Sequence, residues 1–326
     1  MEVVWTSGAT ESINALVHHL SVASAGPVLV SAIEHPAVLS AARRWLASRV
    51  QTIPVSPAGV VDPGWVAGKL GQGGVGAVLV MAANNETGVL QPWIDLANLC
   101  AAHGVPFACD AAQWIGKLGS QSLGRCTFVV GSSHKFGGPH GVGFLKCPPN
   151  LAPFVVGGPQ EEGRRGGTEN VAGVLSMVAA LMERVTIMEE AAPMNPSGDS
   201  SAMAIAVRVQ WRDQFISRLK SLLPDVCIVG ESSPRLWNTV AAIMPGAADC
   251  RRRWVVKLDR LGCAVSTGSA CSAGREKPSH VLAAMGFAPG DGDRMLRFSA
   301  GWETTEADWD GLLDSIRQAA VELGAG

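Results

Sequence analysis

The sequence lacks the features that mark nucleic-acid-binding, membrane-spanning and secreted proteins. Only 17% of its 326 residues are charged and the formal net charge is -2, so no basic excess favours nucleic acid or an anionic membrane surface. No uninterrupted apolar run reaches the roughly 18 residues that a membrane span needs. The first residues, Met1 to Thr6, also lack the charged-then-apolar pattern of a signal peptide. We therefore expect a cytoplasmic protein that binds neither nucleic acid nor a membrane.

The eight cysteines include no Cys-x-x-Cys pair, and no group of cysteine and histidine has the spacing of zinc ligands. Neither a disulfide framework nor a metal site is therefore expected. Several cysteines, such as Cys109 and Cys126, lie in or beside apolar runs, where a thiol behaves as a small buried hydrophobe. Cys271 differs, because the small residues around it offer nothing apolar to bury it. This setting favours a reactive thiol, with a chance cysteine in a Ser/Gly loop as the alternative.

What the sequence does have is a well-cored composition, with 47% hydrophobic residues, and a regular alternation of two patterns. Helical patterns alternate with short β-rich runs, which cover residues 27–31, 76–81, 106–110 and 126–130. This alternation predicts an α/β fold in which a mostly parallel central sheet carries helices on both faces. A Pro/Ser/Gly-rich stretch at 191–199 predicts a domain boundary. We expect a large domain over residues 1–188 and a smaller α+β domain over residues 189–326.

One lysine stands out at the end of the fourth β-rich run. Lys135 lies between a histidine and a glycine-rich turn, in the stretch Gly131–Gly138. A lysine at the carboxyl end of a buried strand can be desolvated, which lowers its pKa and makes its amine nucleophilic. A carbonyl cofactor such as pyridoxal phosphate (PLP) needs an amine of this kind. A surface lysine in a glycine-rich loop is the alternative interpretation.

Other polar residues follow the predicted strands, which is where ligands bind in parallel sheets. Asp110 ends an apolar run, and since its burial without a partner would be costly, a protonated pyridine nitrogen would suit it. His35 ends a strand before a proline-started helix and could stack on an aromatic ligand. Small residues at 6–14, with the hydroxyls of Thr10 and Ser12, suit a phosphate at a helix start. Each stretch has an ordinary alternative as a helix cap or a strand end.

Three further stretches suit anions or polar oxygens. Asn84 and Asn85 offer adjacent amides at a strand end, with an Asn-rich turn as the alternative. The glycine-rich loop at 157–170 carries arginines and is predicted to open a helix at Thr168, which suits phosphate, carboxylate or a subunit contact. Arg297 lies inside a strand of alternating pattern, where a half-buried guanidinium needs an anion such as a carboxylate.

In this order and at these separations, the stretches resemble those of the cysteine desulfurases, which are PLP enzymes of the class V aminotransferase family. The motifs that carry the resemblance are Ser-Gly-Ala-Thr-Glu-Ser at 7–12, Asn-Asn-Glu-Thr-Gly at 84–88, Ser-His-Lys at 133–135, Arg-x-Gly-Thr-Glu-Asn at 165–170 and Ser-x-Gly-Ser-Ala-Cys at 266–271. The resemblance implies the type I fold of PLP enzymes. It also implies conversion of L-cysteine to L-alanine, with the sulfur kept as an enzyme persulfide for iron–sulfur cluster, thio-cofactor or tRNA biosynthesis.

The resemblance further implies how the cofactor would be bound. Lys135 would attach to it covalently, and Asp110 would pair with its ring nitrogen. His35 would stack on the ring and serve in catalysis, while Asn85 and Gln113 would contact the ring oxygen. The phosphate would be held by four residues that follow two strands, namely Ala9, Thr10, Ser132 and His134.

Substrate and subunit contacts are implied in the same way. Arg297 would bind the carboxylate of L-cysteine, with Asn85 beside it, and Cys271 would attack the substrate sulfur. Thr168 would reach the cofactor phosphate of a second subunit, which implies a homodimer. A sulfur-acceptor or iron–sulfur scaffold protein would be a further partner.

Members of this family carry an opening segment before the Ser-Gly-Ala-Thr stretch, which here begins at Ser7, so we expect a chain that lacks this segment. Two other interpretations stay open. One is a selenocysteine lyase or another class V aminotransferase, although an aminotransferase has no need of Cys271. The other is a truncated inactive paralogue that acts as a binding protein.

Overall fold

The structure, a computed structural model, describes residues 1–190, 201–246, 250–267 and 279–324, with the side chains of 189–190, 201–203 and 250–252 left out. The chain forms two compact units. The first comprises Met1–Pro54, Val61–Asn84 and Gln91–Ser201, and the second comprises Val55–Val60, Asn85–Leu90 and Ala202–Gly326. Two short segments of the first half, Val55–Val60 and Asn85–Leu90, therefore belong to the second unit. A single domain boundary after residue 188 does not account for these two segments.

The first unit is built on a seven-stranded sheet in the order β1-β7-β6-β5-β4-β2-β3. Its strands are β1 (Glu2–Thr6), β2 (Val28–Ser31), β3 (Val50–Ile53), β4 (Ala77–Leu79), β5 (Phe107–Asp110), β6 (Phe128–Ser132) and β7 (Gly143–Cys147). The pairs β2/β3, β2/β4, β4/β5 and β5/β6 are parallel, while β7 runs antiparallel to β6 and β1. The predicted mostly parallel sheet is confirmed.

Helices cover this sheet on both faces. They are α1 (Ala9–Ala23), α2 (Pro36–Trp45), α3 (Pro63–Gly71), α4 (Trp93–Ala102) and α5 (Val171–Glu190). Val28 and Val30 of β2 share one core cluster with apolar residues of α1 and α2. Leu29, which points to the opposite face, is equally inaccessible to solvent, and α4 contacts β5 outside that cluster. Burial of successive strand residues is what a sheet with two covered faces requires.

Helix α5 has two apolar faces. Met177, Ala180 and Met188 are buried, but the opposite side is exposed. Within the described parts of the chain, this is the single helix that is long and apolar enough to cross a membrane by length and composition. The segment Val171–Met188 of this helix has a mean hydropathy of 1.7, and 28% of the segment is buried. These measures alone are weak support for a membrane span, since core and interface helices meet them too.

The second unit is smaller and has an antiparallel sheet in the order β10-β11-β9-β8. Its elements are α6 (Ser201–Leu222), β8 (Cys227–Ile228), β9 (Thr239–Ile243), α7 (Cys250–Arg260), β10 (Ser266–Thr267), α8 (His280–Ala284), β11 (Met295–Ser299) and α9 (Glu306–Leu323). Phe215 packs on Phe298 and Trp309 in its core. The side chain of Asp308 accepts the Thr305 N–H at 2.8 Å and forms the capping box at the start of α9. This unit is the α+β part that the sequence predicts.

Candidate active site

Asp110 and Lys135 meet at the carboxyl ends of two neighbouring strands. Strand β5 ends at Asp110, and the parallel strand β6 beside it ends at Ser132. A 3₁₀ turn over Ser133–Lys135 follows directly and carries the lysine. The positive charge of Lys135 acts on Asp110 and lowers the pKa of that carboxyl against the effect of burial. The strand ends of a parallel sheet therefore place an amine and a carboxyl at the same edge, where each acts on the other's charge.

The environment of Asp110 suits a cationic ligand. Burial raises its pKa from the ordinary 3.8 to about 6, although the Ala112 N–H, 3.0 Å from Oδ1, and the charge of Lys135 oppose the rise. A carboxylate in this setting is stabilised when a further positive charge comes close to it. The protonated ring nitrogen of PLP is a charge of this kind, so the residue present fits the cofactor.

The turn that carries Lys135 is held by a residue that the sequence patterns missed. Phe136 is buried, and its carbonyl accepts a hydrogen bond from Nε of Arg184 on α5 at 3.1 Å. Gly137 has a φ of +94°, and a Cβ there would lie 2.9 Å from an Arg184 nitrogen, so glycine is required. Lys135 itself is exposed, so the expectation that protein atoms would desolvate its amine is wrong.

The start of α1 forms an anion-binding corner beside Ser132. Gly8 precedes the helix with a φ of +146°, and a Cβ at Gly143 on β7 would lie 2.6 Å from the Gly8 Cα. The helix start therefore packs directly on strand backbone, and a Cβ at Gly8 would lie 3.7 Å from Ser132 Oγ. The first N–H groups of α1, including those of Ala9 and Thr10, lack acceptors within the helix and carry the positive end of its dipole. The corner therefore suits a phosphate group.

His134 extends the same corner. Its Nδ1 lies 3.0 Å from Ser132 Oγ. Burial, together with the nearby Lys135 and His140 side chains, lowers the pKa of His134, which favours the neutral ring at pH 7. The structure thus brings together the helix start, a hydroxyl and an imidazole that the resemblance assigned to phosphate binding.

Two residues of the first turn of α1 have structural tasks. Ser12 is fully buried with its Oγ 2.8 Å from Thr6 Oγ1, so the expectation that its hydroxyl would bind phosphate is wrong. Glu11 accepts two hydrogen bonds from Arg165, at 2.8 and 3.3 Å. Burial would raise the pKa of Glu11, but the bonds from Arg165 and Ser7 outweigh this effect and lower it. The ion pair therefore fastens the glycine-rich loop to the first turn of α1.

His35 caps helix α2. Its Nδ1 accepts a hydrogen bond from the Ala37 N–H at 3.1 Å, and Pro36 starts the helix. Because Nδ1 is an acceptor, the neutral ring carries its proton on Nε2. The cap holds the half-buried ring at the end of β2 in one orientation. The helix-cap alternative is correct, and it is also what would present a flat ring to a ligand.

Gln113 is held by Lys117, a second residue that the sequence patterns missed. Lys117 is buried, with Nζ 2.8 Å from Gln113 Oε1 and 3.0 Å from the Gln113 carbonyl oxygen. Since an ammonium group only donates hydrogen bonds, the amide oxygen of Gln113 must face Lys117. Its Nε2 hydrogens then point elsewhere and suit an oxygen such as that of the PLP ring. The sequence does show a lysine four residues after Gln113, but it does not show that the fold buries this lysine.

Thr168 lies exposed in the loop between β7 and α5. It lines a cleft together with Trp5, Ser7 and Arg165. The predicted helix start at Thr168 is wrong, since α5 begins at Val171. The reason is Asn170, whose Oδ1 accepts the Gly173 N–H at 3.0 Å and caps the helix. The role of Thr168 toward a second subunit stays a prediction.

The two adjacent asparagines have different tasks. Asn84, wholly buried in the first unit, donates its amide to the Ile33 carbonyl at 3.0 Å. Asn85 belongs to the second unit, and its Oδ1 is buried without a hydrogen-bond partner among the residues that the structure describes. Because an unsatisfied buried oxygen is costly, Asn85 suits a polar ligand.

Arg297 lies in the second unit on β11, between Ala241 of β9 and Ser266 of β10. Its Nη1 donates to the Asn85 carbonyl at 2.7 Å, so the two predicted substrate residues are in contact. Cys271 lies outside the described residues, so its predicted role stays a prediction.

The class of the protein follows from the strand-end edge of the first unit. A lysine on a turn held by Arg184, a half-buried carboxyl at the next strand end, a helix start with a hydroxyl, and a capped histidine lie on a mostly parallel seven-stranded sheet. These features define a PLP-dependent enzyme of fold type I.

Comparisons with known proteins agree with this class. The family described as aminotransferase class-V matches residues 1–312. Cysteine desulfurase IscS of Dictyoglomus turgidum is 31% identical over 99% of this chain and 80% of that protein. Cysteine desulfurase NifS of Azotobacter vinelandii is 32% identical over 99% of this chain and 78% of that protein. The chain therefore belongs to the class V aminotransferase family, whose members are PLP-dependent, and within it to the cysteine desulfurases.

Solved structures point the same way. A NifS-like protein from Rickettsia africae superposes with a TM-score of 0.81 at 25% identity, over 98% of this chain and 82% of that one. A structure titled SspA in complex with cysteine has a TM-score of 0.71 at 25% identity, over 93% of this chain and 82% of that one. The predicted type I fold is confirmed.

Proposed function

We propose that this protein binds PLP at the strand-end edge of its first unit, converts L-cysteine to L-alanine, and receives the sulfur on Cys271. The observation that carries the proposal is the meeting of Asp110, Lys135 and the corner at the start of α1 at one edge of the sheet. It occurs in a chain whose relatives are named cysteine desulfurases, and one similar structure is titled as a complex with cysteine.

Pyridoxal phosphate, when bound, supplies a carbonyl that bonds to amines and a ring that withdraws electrons from the substrate. The N–H groups of Ala9 and Thr10 and the Ser132 hydroxyl would hold its phosphate. Asp110 would keep a negative charge beside the ring nitrogen, and His35 would hold the ring from one side. Each of these tasks is one that the contacts of the described side chains suit.

Lys135 would hold the cofactor between turnovers and, when released, take up and return a proton at its Nζ. The turn behind it is fixed by Phe136 and Arg184, so the backbone stays in place while the flexible side chain moves. A rigid mount and a mobile amine suit both tasks. The exposure of Lys135 is consistent with this arrangement, because a bound cofactor would cover the amine.

Arg297 would bind the carboxylate of L-cysteine, and the neighbouring Asn85 would contact the same ligand. The thiolate of Cys271 would then bond to the substrate sulfur as the Cβ–S bond breaks. The electron pair of the Cβ–S bond stays on Cβ, which takes up a proton in place of the one lost from the Cys271 thiol, so that L-alanine leaves and the enzyme keeps the sulfur atom as a persulfide. The thiolate is the reactive form of cysteine, so this step requires a deprotonated Cys271. A sulfur-acceptor or scaffold protein would remove the sulfur.

We also propose that two copies of the chain pair through α5. Five apolar side chains on its outer side are 39% to 65% exposed, namely Val171, Leu175, Val178, Met182 and Val185. Their spacing alternates between four and three residues, as in the seam of a coiled coil. An exposed apolar stripe of this length marks an interaction surface, and a second copy presents an identical stripe. A membrane surface would be the other occupant, since the helix meets the length and composition of a span.

The function is tested by sulfide release from L-cysteine in the presence of PLP and a thiol reductant. We expect Lys135→Ala and Cys271→Ala to lose sulfide release, and only Lys135→Ala to lose the visible absorption of the bound cofactor. Matched controls are Lys69→Ala, on α3, and Cys227→Ala, an exposed cysteine of the second unit, and both should behave as wild type. Normal release by Cys271→Ala would refute the persulfide role, and no release by the wild type would refute the function.

A further inference from the structure

Glu86 is a buried acid in the second unit to which the proposed function gives no task. Only 1% of its surface is exposed. The segment that carries it is fixed by backbone bonds, from the Leu90 N–H to the Pro234 carbonyl at 2.8 Å and from the Leu236 N–H to the Gly88 carbonyl at 2.9 Å. Glu86 is therefore held in place, and its side chain has to be accommodated where it lies.

Three groups of the same unit interact with the Glu86 carboxylate. Its Oε2 accepts a hydrogen bond from Ser279 Oγ at 2.5 Å, and Ser279 in turn caps α8 by accepting the Leu282 N–H at 3.1 Å. The side chains of His280 and Arg297 also act on it. Burial raises the pKa of Glu86, while the Ser279 bond, His280 and Arg297 lower it. The carboxylate therefore lies in the field of two basic side chains.

Arg297 is linked to the Glu86 segment in a second way. Its Nη1 donates to the carbonyl of Asn85, the residue directly before Glu86, at 2.7 Å. The half-buried guanidinium is thus held at one point by a backbone oxygen, and the charge of the adjacent residue, Glu86, acts on it. A guanidinium that must present two parallel N–H groups to a carboxylate depends on such an orientation.

We propose that Glu86 is a positioning residue for substrate binding, which orients Arg297 toward the carboxylate of the amino-acid substrate. The proposal rests on the proposed function, because it takes Arg297 as the carboxylate-binding residue. The alternative is a purely structural role, in which Glu86 only accepts the hydrogen bond from Ser279, the residue that caps α8. A cap partner would affect folding, whereas a positioning residue affects the affinity for molecules that carry a carboxylate.

The test compares Glu86→Gln, Arg297→Lys and the double variant, with Ser279→Ala as the matched control. Glu86→Gln keeps the shape of the side chain and removes its charge, and Ser279→Ala removes the hydrogen bond and keeps that charge. We expect Glu86→Gln to raise the KM for L-cysteine roughly tenfold with kcat changed less than about threefold, which is the scale of one charge-assisted contact. Ser279→Ala should change KM less than about threefold.

The double variant decides whether Glu86 acts through Arg297. If it does, the KM of the double variant should equal that of Arg297→Lys within about twofold, because the two effects share one path. Multiplied effects, an equal KM rise in Ser279→Ala, or a fall in kcat at unchanged KM would overturn the proposal. Thermal melting shows that each variant is folded.

A second readout does not depend on turnover. Calorimetric titration with L-alanine should show the same roughly tenfold loss of affinity in Glu86→Gln, since L-alanine carries the same carboxylate. Unchanged affinity would overturn the proposal. Absence of sulfide release by the wild type would contradict only the proposed function, so the two failures are distinguishable.

Discussion

The two units of the protein hold their polar groups in different ways. Three polar groups of the first unit are placed by neighbours close in sequence: Ser132 contacts His134, the His35 ring binds Ala37, and Lys117 binds Gln113. In the second unit Arg297 meets a residue 212 positions away in the sequence. The orientation of a side chain that is held by nearby residues should survive substitutions elsewhere in the unit. The orientation of a side chain that is held by a distant residue requires the whole unit to be folded.

The half-buried Asp110 of the first unit and the buried Glu86 of the second unit differ in the groups that interact with their carboxylates. Burial raises the pKa of both Asp110 and Glu86. Glu86 has a hydrogen bond from Ser279 and two basic neighbours within its own unit. Asp110 has the Ala112 N–H and the exposed Lys135, and its pKa still reaches about 6. The pKa of both acids stays above its ordinary value, and at Asp110, which has a single basic neighbour, a ligand that brings a further positive charge would oppose the rise.

The largest expected effect comes from removing the charge of Asp110. Asp110→Asn should lower kcat for sulfide release by roughly 100- to 10,000-fold, the range of a well-placed charged group in catalysis. Asp95→Asn, an exposed aspartate of the same unit, is the control and should be unaffected. Steady-state kinetics measures both. If Asp110→Asn kept more than a tenth of the wild-type rate, the contrast between the two acids would be lost.

A large effect is also expected at the exposed side of α5. Leu175→Asp combined with Met182→Asp should weaken dimerisation roughly 1,000-fold, because two charges per copy would be buried in the interface. Analytical ultracentrifugation measures the change, with Val22→Asp, an exposed apolar residue of α1, as the control. A monomeric wild type that binds lipid vesicles through α5 would contradict the dimer and support the membrane alternative.

Asp110 should also affect stability before the cofactor binds. The folded chain disfavours the charged carboxylate, because its pKa is raised from 3.8 to about 6. The rise lowers the free energy of unfolding: the loss is absent below pH 3.8, grows between pH 3.8 and 6, and is complete above pH 6. At about 1.4 kcal/mol per pH unit, the full loss is about 3 kcal/mol. Cofactor-free Asp110→Asn should melt a few degrees above the wild type at pH 7 and level with it near pH 4. If the variant and the wild type had equal melting temperatures at both pH values, the charged form of Asp110 would not be destabilised in the folded chain.

The smallest expected effect concerns the orientation of Gln113. Lys117→Met should weaken PLP binding roughly tenfold and shift the absorption of the bound cofactor, because the amide would no longer be held. Gln113→Leu should give a similar loss, and the double variant no further loss. Titration followed by absorption measures all three. Additive losses would mean that Lys117 and Gln113 act separately.

Several site residues could be predicted from the sequence because they end apolar runs. Asp110 and Lys135 follow β5 and β6, and the parallel arrangement of those strands places their ends at one edge of the sheet. His35 could be predicted because a proline marks the helix that it precedes. These signals depend on local backbone, which is what short patterns record.

Other parts of the site could not be predicted, for two physical reasons. Lys117 and Arg184 are charged residues that the fold buries, and burial is a property of tertiary packing. The contact of Glu86 with Ser279 joins residues 193 positions apart, which no local pattern contains. The predicted start of α5 was wrong because the side chain of Asn170, and not that of Thr168, accepts a hydrogen bond from an N–H of the first helical turn, that of Gly173.

The central claim is that the strand-end edge of the first unit holds PLP through Lys135. It is tested most directly by reducing the cofactor-loaded protein with borohydride and locating the cofactor by mass spectrometry of its peptides. The account predicts a pyridoxyl group on the peptide that contains Lys135 and none in Lys135→Ala. A label on another lysine, or an unlabelled wild type, would contradict it.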